Sequence, residues 1–333
     1  MRNEIIFEDA EEVVKAVDFS SLDGANIFIT GATGLLGTHF LASLCLLKES
    51  GYRFQSVVGH YFSTPAEFTE EIARRGHFYL TRTRNFLPIH ADVIIHAAGY
   101  AQPLRFVTKP AATIQLNTEV THNLLQSLSP NGRLLFLSSS EVYSGNTKQI
   151  VTEDDIGTTT PYHPRACYIE GKRCGEAICS AYRNTGVRAA SARLGATYGP
   201  GTRKHDKRVI NSLIEQALTT KNVEQEFAGN SSRAYCYVRD AIIMLWQVLL
   251  SSQYPVYNVA GTDIATVSEI AHLVGDLTDT MVLPSKHGYE LGGSAHNPVL
   301  SMERIDAEFG DLAYLSLSEG LRRTVDWQKG LYQ

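Results

Sequence analysis

Ile27-Phe28-Ile29-Thr30-Gly31-Ala32-Thr33-Gly34-Leu35-Leu36-Gly37 is the stretch that decides the fold. Its first three residues, apolar and β-branched or aromatic, predict a strand buried on both faces. Glycines 31, 34 and 37 follow at once, and an apolar helical pattern then runs to about Lys48. Strand, glycine turn and helix in direct succession form the context in which such glycines hold a dinucleotide. Gly31 permits the tight turn, Gly34 lets a pyrophosphate approach the backbone, and Gly37 lets the helix pack closely on its strand. The unpaired N–H groups at the helix start face the phosphates with the positive end of the helix dipole. Thr33, Leu35 and Leu36 lie inside the turn and join the three glycines as candidate cofactor residues. The spacing is GxxGxxG rather than GxGxxG.

Downstream the same alternation continues. A second strand is expected from Phe54 to Gly59, followed by His60 and Tyr61. An NAD site often places an Asp or Glu there to read the adenosine ribose; with none present, these residues leave the choice between NAD and NADP open. A helix near Pro65–Arg75, a short strand at Phe78–Leu80 and a loop with Arg82 and Arg84 come next. Those two arginines either meet a 2′-phosphate or are simply solvated. Asp92–His96 reads as another buried strand, and the small residues Ala97, Ala98 and Gly99 after it let a cofactor lie against the backbone. A helix is expected from Asn117 to Leu128, a strand at Leu134–Leu137, a helix from Tyr168 to Tyr182 and a strand from Val187 to Leu194. Strands alternating with helices predict an α/β protein with a Rossmann-like, doubly wound parallel sheet.

Beyond Gly199-Pro200-Gly201 the alternation breaks up. Helices are expected at 206–220, 239–251, 266–277 and 317–330, with short strands at 223–227, 255–259 and 281–283. This part reads as a smaller substrate-binding lobe interleaved with a returning strand of the main sheet. The expected division is a helical extension over 1–24, a dinucleotide-binding domain over 25–200 and the lobe over 201–333. The extension carries an acidic amphipathic helix over 4–18 with Ile5, Val13, Val14 and Val17 as its apolar members.

The chemistry concentrates between residues 138 and 172. Ser138-Ser139-Ser140-Glu141 follows the strand at 134–137, delivering hydroxyls and a carboxylate to its carboxyl end. Tyr168 and Lys172 stand four apart and therefore share a helix face. A phenol is a poor base at neutral pH, but a nearby ammonium favours the phenolate. Such a Tyr takes a proton from a sugar or alcohol hydroxyl that a strand-end Ser holds in place. A Tyr and a Lys at this spacing are otherwise an ordinary surface pair, and the surrounding motifs decide between the two readings.

Composition sets the outer limits. With 44% hydrophobic and 20% charged residues, the 333-residue chain has the makeup of a globular protein. A net charge of −5 gives no general basic surface for nucleic acid. The run Arg203-Lys204-His205-Asp206-Lys207-Arg208 is a local basic cluster, either a solvated loop or a clamp for phosphates. Cys45, Cys167, Cys174, Cys179 and Cys236 form no CxxC and no metal-ligand spacing, so no metal is expected. Their odd number, without a secretory pattern over 1–24, predicts reduced thiols in a cytoplasm. No apolar run is long enough to span a membrane.

Taken in order, these motifs resemble the extended short-chain dehydrogenase/reductase family, and within it the nucleotide-sugar epimerases, dehydratases and decarboxylases. The likeness runs from residue 25 to about 330. It rests on GATGLLG at 31–37, HAAG at 96–99, SSSEVY at 138–143, PRACYIEGK at 164–172, RLGATYGPG at 193–201, RVI at 208–210 and SRAYCYVRDA at 232–241. The resemblance implies a tightly held NAD that accepts a hydride from sugar C4. It implies Tyr168 as the base for the C4 hydroxyl and also a cofactor contact, Lys172 as the group that lowers its pKa and holds the nicotinamide ribose, Ser139 as the hydroxyl partner and Glu141 as the second-step group. Ser140, Arg208 and Arg233 are implied substrate contacts, the arginines toward the nucleotide diphosphate.

Dehydratases of this group carry an Asp-Glu pair where this chain has Ser140-Glu141, which removes the acid of an elimination. Ser-Glu at this point, PRACYIEGKR and SRAYCYV are similar to the UDP-glucuronate decarboxylases. Two departures stand against that likeness. Ser294-Ala295-His296-Asn297-Pro298 replaces an Arg-bearing segment, leaving His296 as its candidate substrate contact, and Ala196 replaces an Asn in the RxxNxYGP pattern. UDP-glucuronate decarboxylation is the lead reaction. The alternatives are an NDP-sugar epimerase or dehydratase, a net 4-ketosugar reductase or dehydrogenase, and a non-catalytic dinucleotide-binding regulator. Helices near 117–128 and 166–182 are apolar on more than one face, and the resemblance implies that this pair meets its symmetry mate in a homodimer.

Overall fold

Strand β1 (Asn26–Thr30) lies inside a seven-stranded parallel sheet in the computed structural model, which describes residues 3–82, 90–100, 102–224, 232–284 and 298–332. The other strands are β2 (Ser56–His60), β3 (Tyr79–Thr81), β4 (Ala91–His96), β5 (Leu128–Ser139), β6 (Arg188–Leu194) and β7 (Val256–Val259). Their order across the sheet is β7-β6-β5-β4-β1-β2-β3. The chain thus winds one way from β1 to β3 and the other way from β4 to β7. Ligands of such sheets bind outside the carboxyl ends of the strands where the winding reverses, here between β1 and β4. This is the doubly wound α/β fold that the strand–helix alternation predicts.

Register sets the depth of the site. Thr30 pairs with His60 on one side and His96 on the other, so β1, β2 and β4 end level. His96 pairs with Phe136, and β5 runs on through Leu137 and Ser138 to Ser139 beside β6. The overshoot carries the Ser cluster past the edge at which the glycine turn begins. Ile29, Ile94, Ile95, Leu135 and Phe136 are buried with almost no exposure. Each such side chain contributes about 1.5–3 kcal/mol on burial, and helices cover both faces of the sheet.

Helix α1 (Glu4–Ala16) lies against α2 (Leu35–Glu49). Its buried face is Ile6, Asp9, Ala10 and Val13; of the apolar residues expected there, Ile5, Val14 and Val17 are half-buried. Asp9 accepts hydrogen bonds from the Tyr237 hydroxyl (2.8 Å) and the Arg323 guanidinium (2.9 Å). Burial outweighs the Arg323 charge and raises its pKa to about 7. Helix α3 (Ala166–Arg183) packs flush on β5 because Gly175 faces the sheet: a Cβ there would sit 2.4 Å from the Phe136 ring.

The structure departs from the expected elements in several places. The helix expected at 117–128 is two helices, Pro110–Asn117 and Glu119–Gln126, broken at Thr118 (φ −112°, ψ −75°). A short helix, Pro103–Thr108, precedes them. The strand expected at 134–137 begins at Leu128. In the C-terminal part, Val256–Val259 is the returning seventh strand, and Ala196–Tyr198, Ser232–Tyr237 and Asp263–Thr266 form an unforeseen three-stranded sheet. Helix α4 (Val238–Ser251) packs on α2, β5 and β6, and α5 (Leu317–Tyr332) crosses behind the turn that follows Ala196–Tyr198. There His39 Nε2 donates to the Pro200 carbonyl (2.9 Å) and Trp327 Nε1 to the Thr202 carbonyl (3.1 Å). Arg84, His296 and residues 225–227 of an expected strand lie outside the described residues.

Candidate active site

At the end of β1 the chain makes room by lacking side chains. Gly31 has φ +67°, and a Cβ on it would lie 2.6 Å from the Ala97 carbonyl oxygen. A Cβ on Gly37 would lie 2.3 Å from the Gly31 carbonyl oxygen, so the start of α2 and the turn touch through backbone alone. Gly34 is exposed at the mouth, between buried Thr33 and Leu35, while Leu36 is half-buried. The cradle fits a dinucleotide: glycine at each point of contact, a helix N-terminus aimed outward, and Ala97 and Ala98 as the opposite wall.

A buried hydrogen-bond chain fixes that wall. His96 Nε2 lies 3.1 Å from the Leu116 carbonyl, which only accepts, so this nitrogen carries the proton. Burial holds the imidazole neutral, its pKa depressed to about 3. Nδ1 is then an acceptor for the Thr30 hydroxyl at 2.7 Å, and Thr30 Oγ1 in turn accepts from Ala98 N–H at 3.1 Å. The position after β2 holds no carboxylate, and His60 is buried at 6% exposure. Arg82 is exposed.

At the end of β5 the site is built from side chains. Tyr168, Lys172 and Glu176 stand one turn apart on the buried side of α3. Tyr168 stacks flat on Phe106, centroids 4.6 Å apart and planes at 13°, and its hydroxyl is near enough to Ser139 to feel that side chain. Lys172 Nζ donates to the Leu137 carbonyl at 2.6 Å and lies 5.8 Å from the Tyr168 ring centre. Burial dominates both groups, raising the phenol to about 12 and lowering the ammonium to about 7. Ser139 and Arg165 pull the phenol down, Lys172 is not among the groups that do so here, and burial outweighs both.

Ser140 opens a single helical turn, Ser140–Tyr143, that presents Glu141. The Glu141 carboxylate is ion-paired with Arg165, at the N-cap of α3, and accepts from Ser144 Oγ at 3.4 Å. Arg165 also lies over the Phe106 ring, 5.3 Å from its centre. Beneath this turn Arg193 clamps Glu176 (2.9 Å) and donates to the Tyr143 hydroxyl (2.8 Å). Glu176 accepts from Ser138 Oγ at 2.5 Å, and Tyr143 donates to Asn258 at 2.6 Å. One buried ion pair thus holds β5, β6, β7 and α3 together below the reacting groups.

The structure brings Ser139, Glu141, Tyr168 and Lys172 together. Arg208 is bound bidentately by Asp206, with Nε–Oδ1 3.0 Å and Nη2–Oδ2 2.7 Å. Arg233 is exposed on the three-stranded sheet, opposite Ala265. Arg165, Phe106, Glu176 and Arg193 escaped the sequence reading. Glu176 alone had a local signal there, as the next member of the Tyr168–Lys172 stripe.

Residues 27–260 match the family described as "NAD dependent epimerase/dehydratase family". UDP-glucuronic acid decarboxylase 1 of Danio rerio is 32% identical over 315 residues, covering 92% of this chain and 73% of that protein. UDP-glucuronic acid decarboxylase 6 of Arabidopsis thaliana is 30% identical over 255 residues, 75% of this chain and 74% of that protein. Among solved structures, UDP-glucose 4-epimerase of Thermotoga maritima with UDP-glucose superposes with a TM-score of 0.79, at 21% identity over 92% of this chain and 100% of that one, a likeness of fold. The chain belongs to the NAD dependent epimerase/dehydratase family, the class of NAD-dependent, nucleotide-sugar-modifying enzyme that its motifs anticipate.

Proposed function

We propose that the chain acts on a nucleotide sugar through transient oxidation at C4, with UDP-glucuronate decarboxylation as its reaction. The observation that carries this reading is the adjacency of two pairs. Tyr168 with Ser139 is suited to a sugar hydroxyl, and Glu141 with Arg165 forms a charge pair one helical turn away. NAD, when bound, supplies the hydride acceptor. The chain's own residues do the rest. Ser139 and Tyr168 hold the C4 hydroxyl, and Lys172 is the cation whose charge turns the buried phenol toward phenolate. A C4 ketone makes a C6 carboxylate a β-keto acid. Its C5–C6 bond then breaks as carbon dioxide leaves, and the electron pair stays on C5 until a proton is added there. Glu141, aligned by Arg165, is assigned to that second step. Ser140, Arg208, Arg233 and His296 are the assigned substrate contacts; Arg208 serves only once Asp206 releases it.

Glu141→Gln tests the division. Given UDP-glucuronate, it leaves nicotinamide reduction visible by absorbance and slows carbon dioxide release by about 10²–10⁴-fold. Unchanged release removes Glu141 from the second step. A net 4-ketosugar reductase is the second reading, favoured by the absence of arginine from residues 291–298. It demands one equivalent of reduced dinucleotide consumed per product, where decarboxylation consumes none.

The assembly proposed is an isologous homodimer through helices Pro110–Asn117, Glu119–Gln126 and α3, where Ile114 keeps 44% of its surface exposed. A monomeric mass by light scattering at micromolar concentration contradicts it. No helix among the described residues is long and apolar enough to cross a membrane. A cytoplasmic setting is proposed on the five free thiols.

A further inference from the structure

The basic run at 203–208 divides in the fold. His205 and Lys207 both face Glu215, Arg208 is held by Asp206, and Lys204 lies over the Tyr332 ring at 5.0 Å. Arg203 turns the other way. Its Nη2 donates to the Thr33 carbonyl (3.0 Å) and the Thr33 hydroxyl (3.1 Å), inside the glycine turn. Its Nη1 donates to the Thr64 carbonyl (2.8 Å) and Ser63 Oγ (3.4 Å), in the loop that follows β2. One guanidinium therefore joins the turn that receives a pyrophosphate to the strand end that reads an adenosine ribose.

Every one of those four partners is a neutral oxygen. Arg203 is half-buried, so its charge is poorly solvated, and burial together with the nearby Arg105 pulls its pKa down. The one carboxylate exerting a pull on it, Asp206, already holds Arg208. A half-buried guanidinium that has no carboxylate of its own among the described residues, with a second cation close by, is offset by an anion from outside. Its planar fork matches phosphate oxygens. The loop that carries it is firmly held, by His39 on Pro200 and Trp327 on Thr202, so the charge is delivered to a fixed place.

We propose that Arg203 is a cofactor-binding residue that supplies the positive charge for the phosphates on the adenosine half of the dinucleotide. It stands where the acidic ribose reader of an NAD site is missing, and it reaches the turn from outside the sheet. The proposal rests on the dinucleotide reading of the glycine turn.

The test is direct binding by calorimetry, on the full chain and without turnover. Wild type, Arg203→Ala and Arg203→Gln are titrated with NAD, NADP and adenosine. Gln keeps an amide donor for the Thr33 and Thr64 carbonyls but lacks the charge. Both variants are expected to bind NAD roughly ten- to hundredfold more weakly, the worth of a charge-assisted hydrogen bond, with adenosine binding unchanged. Equal losses for NAD and NADP identify the pyrophosphate as the anion; a larger loss for NADP adds the 2′-phosphate. Unchanged NAD and NADP affinity in both variants overturns the proposal. So does full recovery of binding in Arg203→Gln, which reduces Arg203 to a brace for the loop. Wild type that binds neither dinucleotide sinks the glycine-turn reading instead, a separate outcome.

Discussion

The ends of β1 and β5 lie at the same edge of one sheet and are built by opposite means. At β1 the site is made by what is missing: a Cβ on Gly31 or Gly37 collides with backbone, and Ala97 and Ala98 form a flat wall. At β5 it is made by what is crowded in, with Ser139, Glu141, Arg165, Tyr168 and Lys172 all at or near the end of one strand. Backbone contact recognises a ligand common to many reactions, since every residue has the same N–H. Side-chain contact selects one reaction. A family can therefore keep the first end and vary the second.

Substitutions at the two ends should fail differently, and the largest effect is the first test. Gly37→Ala forces a Cβ against the Gly31 carbonyl and should abolish NAD binding in a titration. Tyr168→Phe should keep NAD affinity while turnover falls by about 10²–10⁴-fold. Loss of NAD binding in Tyr168→Phe, or retention in Gly37→Ala, breaks the distinction. Glu176→Gln sharpens it from below. Removing one partner of a buried pair leaves Arg193 uncompensated, so a cost of about 3–5 kcal/mol in urea unfolding is expected. The dinucleotide end, which Glu176 does not touch, should bind NAD as before at temperatures where the variant is folded.

The smallest effect lies away from both ends. Asp9 has a folded pKa of about 7 through burial, against an ordinary value of about 3.9. A raised carboxyl means that the folded chain binds more protons than the unfolded one between those values. Its contribution is then fully present below about pH 4 and is lost as pH rises through 7. Asp9→Asn should flatten that limb of a stability–pH curve without altering turnover. An unchanged limb would show that Arg323 keeps Asp9 ionised throughout.

How much was legible in sequence follows the same division. Glycines 31, 34 and 37 act through their own backbone beside a strand contiguous with them, so local pattern sufficed. Tyr168 and Lys172 share a helix face and were equally readable. Arg165 was not, because its meaning depends on Glu141, a residue 24 positions away that only the close packing of α3 on β5 brings near. Phe106 sits on a helix of six residues, too short to show a period. The strands Ala196–Tyr198 and Asp263–Thr266 are short and partly polar, and they exist because Ser232–Tyr237 lies between them. Asp9 reads as a surface acid in an acidic helix, until Tyr237 and Arg323 arrive from the far end of the chain.

The chain contains two tryptophans, and their positions make it an optical instrument. Trp246 is wedged edge-on between Phe19 and Phe40, at 5.2 and 4.9 Å, deep in the core. Trp327 packs edge-on against Phe68 at 4.9 Å and donates its indole N–H to Thr202, the residue before Arg203. A shift of that loop alters the hydrogen bond on which the emission of Trp327 depends, while Trp246 is silent to it. Replacing Trp246 by Phe would leave a single tryptophan, hydrogen-bonded to the neighbour of the loop's arginine, so that its selectively excited emission would report on that loop without a label.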